Sequence, residues 1–143
     1  MATGEGNRKN GSLALEELRY LQQLYQNQYA LLGNSINAEL GELQELNSAQ
    51  RTLEGAGMLE GKDVLNPIGG GIYFQGRISD PKNVLVGVGA GYVVEMEVDP
   101  AKTYVAELIK KRTDGLNRLT KNRKELEAAL VDISYNIESS RQV

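Results

Sequence analysis

Residues 64–98 read VLNPIGGGIYFQGRISDPKNVLVGVGAGYVVEMEV, and their apolar side chains recur with a period of two. Ile72, Phe74 and Ile78 fall on one face of an alternating strand. Val84, Val86 and Val88 share a face of a second, and Tyr92, Val94, Met96 and Val98 share a face of a third, with Glu95 and Glu97 pointing the other way. Asp80-Pro81-Lys82 is a turn between strands, and Gly89-Ala90-Gly91 is a second reversal. A short strand over Val64–Ile68 can pair with the 72–78 strand through Gly69-Gly70-Gly71. The pattern predicts two successive β-hairpins. A few short strands cannot bury a core alone. Their apolar residues have no partner in the same chain, so the strands are expected to pair their edges with other subunits.

Working outward, both flanks change period. From Leu13 to about Glu54 there is no proline, and apolar residues fall at Leu18, Leu21, Tyr25, Leu32, Ile36, Leu40, Leu43, Leu46 and Leu53. Steps of three, four and seven mark a coiled-coil seam. A helix of about 42 residues would run roughly 60 Å at 1.5 Å per residue, too long for an ordinary helix of a small domain. Ser12 is placed to cap its start, with Glu16 and Glu17 near the first turn, and the glycines of Glu54-Gly-Ala-Gly57 are placed to stop it. The first dozen residues, MATGEGNRKNGS, are polar and glycine-rich and read as a disordered lead-in. After the strands, Asp99-Pro100 reads as N-cap and N1, and Val105, Leu108, Leu119, Leu126, Leu130, Ile133 and Ile137 carry a second seam to about Ser140. Two matched seams joined by a compact insert should pair antiparallel. Facing Leu46 with Leu108 also sets Leu21 opposite Ile133, Tyr25 opposite Leu130, Ile36 opposite Leu119 and Leu43 opposite Arg112. The expected fold is mainly α: helix 13–54, β-hairpins 64–98 and helix 100–140 within one domain, 13–143.

Composition narrows function. The chain has no Cys and no His, so thiolate chemistry and imidazole general bases or metal ligands are excluded. The remaining carboxylates sit mostly on helix faces and do not cluster at metal-ligand spacing. No catalytic residue, metal site or cofactor is expected, and the chain reads as a non-enzyme. The net charge of −3 argues against nucleic acid as a main partner. No apolar run approaches the roughly 20 residues of a membrane span, and the N-terminus lacks a signal-peptide core, so a cytoplasmic location is the expectation. Charge is divided: residues 1–54 carry four basic and seven acidic side chains, residues 100–143 nine and six. Opposite signs favour packing the two helices together, weakly.

Three motifs have bland readings that outweigh sharper ones. Gly87-Val-Gly89-Ala-Gly91 resembles a phosphate loop, but a strand follows it instead of a helix N-terminus, and no Gly-Lys-Ser/Thr is present. A tight β turn explains it better, as it does Gly69-Gly70-Gly71. The basic residues Lys110, Lys111, Arg112, Arg118, Lys121, Arg123 and Lys124 are interspersed with Glu107, Asp114, Glu125 and Glu127, the mark of a solvated face. One feature exceeds what a two-helix seam needs. Leu13, Tyr20, Leu24 and Leu31 form a second apolar row beside the first seam, with Leu15 close by, and Val131 and Tyr135 lie off the line of Leu130, Ile133 and Ile137. In the antiparallel register these regions meet at the free end of the helical hairpin. Extra apolar surface there marks either a binding site or packing against a neighbouring helix.

Asn66-Pro67-Ile68-Gly69-Gly70-Gly71-Ile72-Tyr73 and Val84-Leu-Val-Gly-Val-Gly-Ala-Gly-Tyr-Val-Val-Glu95 resemble the central elements of α-class prefoldin subunits. The resemblance covers nearly the whole chain after the first dozen residues. It implies a hexamer of two α and four β subunits, whose hairpins form an inter-subunit β-barrel platform and whose coiled coils hold non-native client proteins at their tips. It implies delivery to a group II chaperonin without ATP. On that reading Leu13, Leu15, Tyr20, Leu24, Leu31, Val131, Tyr135 and Ile137 are the candidate client contacts. Ile72, Phe74, Ile78, Val84, Val86, Val88, Tyr92, Val94 and Met96 are the candidate assembly contacts. A structural coiled-coil adaptor in a prefoldin-like scaffold is the alternative.

Overall fold

The computed structural model describes residues 3–141, with side chains described for residues 14–141. Helix α1 spans Thr3–Glu54, strands β1 and β2 span Asp63–Gly69 and Ile72–Arg77, β3 and β4 span Asn83–Gly89 and Tyr92–Glu97, and helix α2 spans Val98–Arg141. The chain divides into two compact units, one formed by residues 1–40 with 114–143 and the other by residues 41–113.

In the first unit the helices lie side by side and antiparallel. Gln22 Nε2 donates to Ser134 Oγ (3.3 Å), and Tyr29 Oη donates to Glu127 Oε1 (2.7 Å). The first bond adjoins the expected Leu21–Ile133 pair, and the second lies one turn on from Tyr25–Leu130. Ile36, Ile133 and Ile137 are buried, while Leu18, Tyr25, Leu32, Leu119, Leu126 and Leu130 are half-buried. A two-helix seam excludes water from one stripe only, so full burial is confined to its centre.

Helix α1 begins upstream of the expected start at residue 13, so Ser12 is inside the helix and does not cap it. Extending a formed helix costs far less than nucleating one. The other three helix ends follow the sequence with small shifts. After Glu54 the chain does not turn left-handed at Gly55 (φ −95°) but tightens into a 3-10 turn, Ala56–Leu59, that buries Ala56. The reversal is taken later, at Gly61 (φ 72°). At the other side α2 starts at Val98, which puts Pro100 in the first turn, where its missing N–H costs nothing. Asp99 there pairs with Lys102 at 3.5 Å, and α2 ends at Arg141.

The second unit holds both hairpins. They are separate two-stranded antiparallel sheets, β1 with β2 and β3 with β4. Their registers are copies of each other displaced by twenty positions. Val64↔Gly76, Asn66↔Phe74 and Pro67↔Tyr73 in the first match Val84↔Met96, Val86↔Val94 and Gly87↔Val93 in the second, and each breaks register just before its turn. The turn residues have positive φ in both: Gly70 and Gly71 (60° and 78°), Ala90 and Gly91 (52° and 79°). That sign pattern belongs to the type I′ turn, whose twist suits a two-residue hairpin. The anchoring bonds repeat too, Ile78 N donating to Lys62 O (3.1 Å) and Val98 N to Lys82 O (2.9 Å). The link between hairpins is held by Asp80, whose carboxylate accepts from Lys82 N (2.9 Å) and Asn83 Nδ2 (3.0 Å). Those two bonds favour the charged form and hold the Asp80 carboxyl below its usual range.

Candidate client groove and assembly strands

The α1 row comes from α-helical phase. Leu24, Gln28, Leu31 and Ser35 follow at steps of three and four, so they flank the seam on one side. On α2 the facing positions are Asn122, Glu125 and Ala129. The short side chains of Asn122 and Ala129 leave the seam open. The result is an apolar groove of about 570 Å³ within the first unit, floored by Tyr25, Leu32, Leu126 and Ala129 and edged by Leu31 and Glu125.

The other flank of the seam is polar and closed. It carries the Gln22–Ser134 and Tyr29–Glu127 hydrogen bonds. The bond to the Glu127 carboxylate raises the Tyr29 phenol above its ordinary 10.0, with burial and the Glu127 charge adding to it and Arg123 opposing it. A raised phenol means that the folded state favours the protonated form. Its contribution to stability is therefore complete below pH about 10 and is lost as pH rises through the folded value. Tyr29→Phe is expected to lower the melting temperature by a constant amount from pH 7 to 9, and the gap to wild type should close above pH 10. Thermal melts across that range check it.

Tyr20, Leu31, Val131 and Tyr135 are each more than 60% exposed, Leu24 is 38% exposed, and Leu15 is half-buried. Ile137 is buried in the seam at 8% exposure, so a client can reach it only if the helices part. Leu13 lies outside the described side chains. The exposed residues do not form one patch. Tyr20, Leu24 and Leu31 continue the groove flank of α1. Val131 is two residues past Ala129, about 200° around α2, so Val131 and Tyr135 face away from the groove. Leu32 and Leu126 are not singled out as site residues by sequence because both read as ordinary seam positions, and Ala129, which the sequence reading leaves unassigned, is the small residue at the seam edge that carries the signal.

In the second unit, Ile72, Phe74, Tyr92 and Val94 are exposed and Val84, Val86 and Met96 half-buried. Val88 is the unpaired residue at the register break, and Ile78 lies just past β2, half-buried. The opposite faces are apolar as well: Leu65, Tyr73, Leu85 and Val93 are all more than half exposed. Strands apolar on both faces are built to be covered on both. The runs Val84-Leu-Val86 and Tyr92-Val-Val94 carried that signal in the sequence.

Among the described residues no group of carboxylates could hold a metal ion, and no helix is long and apolar enough to cross a membrane.

Residues 25–142 match the family model described as "Prefoldin subunit". The chain is 40% identical over 97 residues to prefoldin subunit alpha 1 of Thermococcus kodakarensis, covering 67% of this chain and 66% of that protein. It is 28% identical over 130 residues to prefoldin subunit alpha of Pyrococcus horikoshii, covering 90% of this chain and 88% of that one. Among solved structures it is similar to filamentous prefoldin from Methanocaldococcus jannaschii, with a TM-score of 0.67 and 27% identity over 80% of this chain and 95% of that one. Two long helices with two β-hairpins between them, and the match of residues 25–142 to the family model, place the chain in the prefoldin family.

Proposed function

We propose that this chain is a non-enzymatic holdase subunit, which captures non-native proteins on the apolar flank of its first unit and works inside a multi-subunit prefoldin. Membership of a family of co-chaperones supports the role. The observation that carries the capture step is the groove beside the α1 row Tyr20–Leu24–Leu31, an apolar surface that the two-helix seam does not need. A non-native chain exposes apolar segments, and burying them gains about 25 cal/mol per Å². No single groove binds strongly, but several in one assembly give avidity, which suits capture followed by release.

Assembly follows from the hairpins. Their two-sided apolar strands fit edge pairing with other prefoldin subunits, in the manner of an α2β4 hexamer with a shared β-barrel platform. A group II chaperonin is the receiver that the α-class likeness suggests, and the cytoplasm the compartment. The test is light scattering of a chemically denatured protein diluted into buffer without nucleotide. The chain assembled with a β-class subunit should suppress aggregation at near-stoichiometric ratios. Suppression that requires ATP, or none at all, would refute the holdase reading.

A further inference from the structure

The groove of the first unit has helical walls. Among the described residues that unit is built from α1 and α2, and both sheets belong to the second unit. A helix uses its interior N–H and C=O groups in its own bonds, each N–H reaching the carbonyl four residues back. The walls therefore offer a bound segment no backbone partner. Gln28, Ser35 and Asn122 are the uncharged polar side chains that line the groove. They are too few to serve every inward N–H and C=O of an extended stretch, and a buried backbone group left unbonded is unfavourable. A helical segment avoids that penalty, because it satisfies its own backbone. Shape agrees with this. From Leu24 to Ser35 the α1 wall runs roughly 16 Å at 1.5 Å per residue, about three helical turns. Leu24, Gln28, Leu31 and Ser35 follow at steps of three and four, the spacing that receives the ridges of another helix.

Charge adds a direction. Glu125 edges the groove on α2, Asp132 follows one heptad later on the same line, and Glu17 precedes Leu24 by one heptad on α1. All three are exposed, and among the described residues none of them has a salt bridge. The basic side chains of this stretch lie elsewhere. Arg123 acts on Tyr29 at the closed flank, and Arg141 falls on its line five turns on. Arg19 is three residues before Gln22, on that same side. Lys121 and Lys124 share the heptad lines of Tyr135 and Val131, which face away from the groove. Arg118, one heptad before Glu125, bounds the acidic stretch.

We propose that the client segment held in this groove is an amphipathic helix with one apolar stripe and a basic edge, which completes a three-helix seam over Tyr25, Leu32 and Leu126. Unfolded chains hold such helices fleetingly, since an isolated helix of ~12–15 residues is marginal in water. Ordering the segment on capture offsets part of the apolar gain, so each contact stays weak enough for release. This rests on the capture reading above and adds to it the class of segment captured.

Three fluorescently labelled peptides test it by anisotropy, against the full chain assembled with a β-class prefoldin subunit. In the first, leucines recur at i, i+3, i+4 and i+7 with lysines beside the stripe. The second places the same residues in strict alternation. The third keeps the helical order with glutamates for lysines. The first is expected to bind at least tenfold more tightly than either of the others, with an isotope-labelled amide infrared band that reports helix in the complex. Glu125→Lys with Asp132→Lys should abolish the preference for lysine over glutamate and keep the preference for helical order. The triple variant Tyr20→Ser, Leu24→Ser, Leu31→Ser, assembled with the same partner, gives the background from the partner's own helices. Equal or tighter binding of the alternating peptide, or an extended amide band in the complex, overturns the helical assignment. An unchanged lysine preference in the charge-reversed chain overturns the basic edge. Peptide binding that falls as the complex is concentrated would mean that a second copy fills the groove, which also overturns the proposal. If the alternating peptide binds wild type and the triple variant loses it, capture by the groove stands and the helical assignment alone fails. If the triple variant binds the first peptide as wild type does, the capture reading fails and this inference fails with it.

Discussion

Val86→Asp or Val94→Asp is expected to release the chain from its assembly as a monomer. The two residues are direct cross-strand partners on one face of the second hairpin. In the isolated chain that face is open, Val94 being 42% exposed and Val86 half-buried. A carboxylate is therefore tolerated in the monomer, where water still reaches it. Covering the face with a neighbour's strands would strip that water away. Desolvating an unpaired charge costs several kcal/mol, and the lost valine surface adds about 1.5 kcal/mol or more. Each 1.4 kcal/mol is tenfold in affinity, so a shift of more than about a hundredfold in the assembly constant follows. Native mass spectrometry reads it as loss of the complex, while circular dichroism should show the helices retained. A complex of unchanged mass would mean that this face is not an assembly surface.

The hairpins were legible in the sequence because strand period, turn residues and the absence of a local partner agree with each other. What the alternation of Val84, Val86 and Val88 did not reveal was the register break that leaves Val88 unpaired. It depends on backbone angles at Gly89, Ala90 and Gly91, and glycine-rich segments permit several. The duplication of the hairpins was hidden for a related reason. Only the pairing shows that Pro67 and Gly87 hold the same place, since their side chains have nothing in common. The helical seam was legible from leucine spacing, and the Gln22–Ser134 and Tyr29–Glu127 bonds sit beside the pairs that spacing implies. Spacing could not show which flank of the seam is open. That depends on the size of side chains facing each other across two helices, here Ala129 and Asn122 against Gln28 and Leu32. Grouping Val131 and Tyr135 with Tyr20, Leu24 and Leu31 used nearness along the helix pair without the angle around it. The start of α1 was misplaced because Ser12 makes a good cap only where a helix begins, and polar, glycine-rich composition does not by itself end one.

The groove flank is where function should be lost without loss of structure. Tyr20→Ser, Leu24→Ser and Leu31→Ser in one chain are expected to raise the concentration needed to suppress aggregation by about tenfold or more. Tyr20 and Leu31 are 68% and 65% exposed, so they contribute little to the seam. Surface substitutions of this kind usually change stability by less than about 0.5 kcal/mol each. Binding is a different matter. Full burial of one such side chain against a client is worth about 1.5–3 kcal/mol. Even half of that from two residues would weaken each groove by about tenfold, and avidity multiplies the loss across the assembly. Val131→Ser with Tyr135→Ser removes a comparable apolar area on the far side of α2. If clients are held in the groove, this pair should suppress nearly as well as wild type. Equal losses from both sets would show that clients are held all around the helices and not in the groove. Wild-type suppression by the triple variant, with its native mass unchanged, would remove this flank from the account of client capture and leave Val131 and Tyr135 as the exposed apolar side chains to test next.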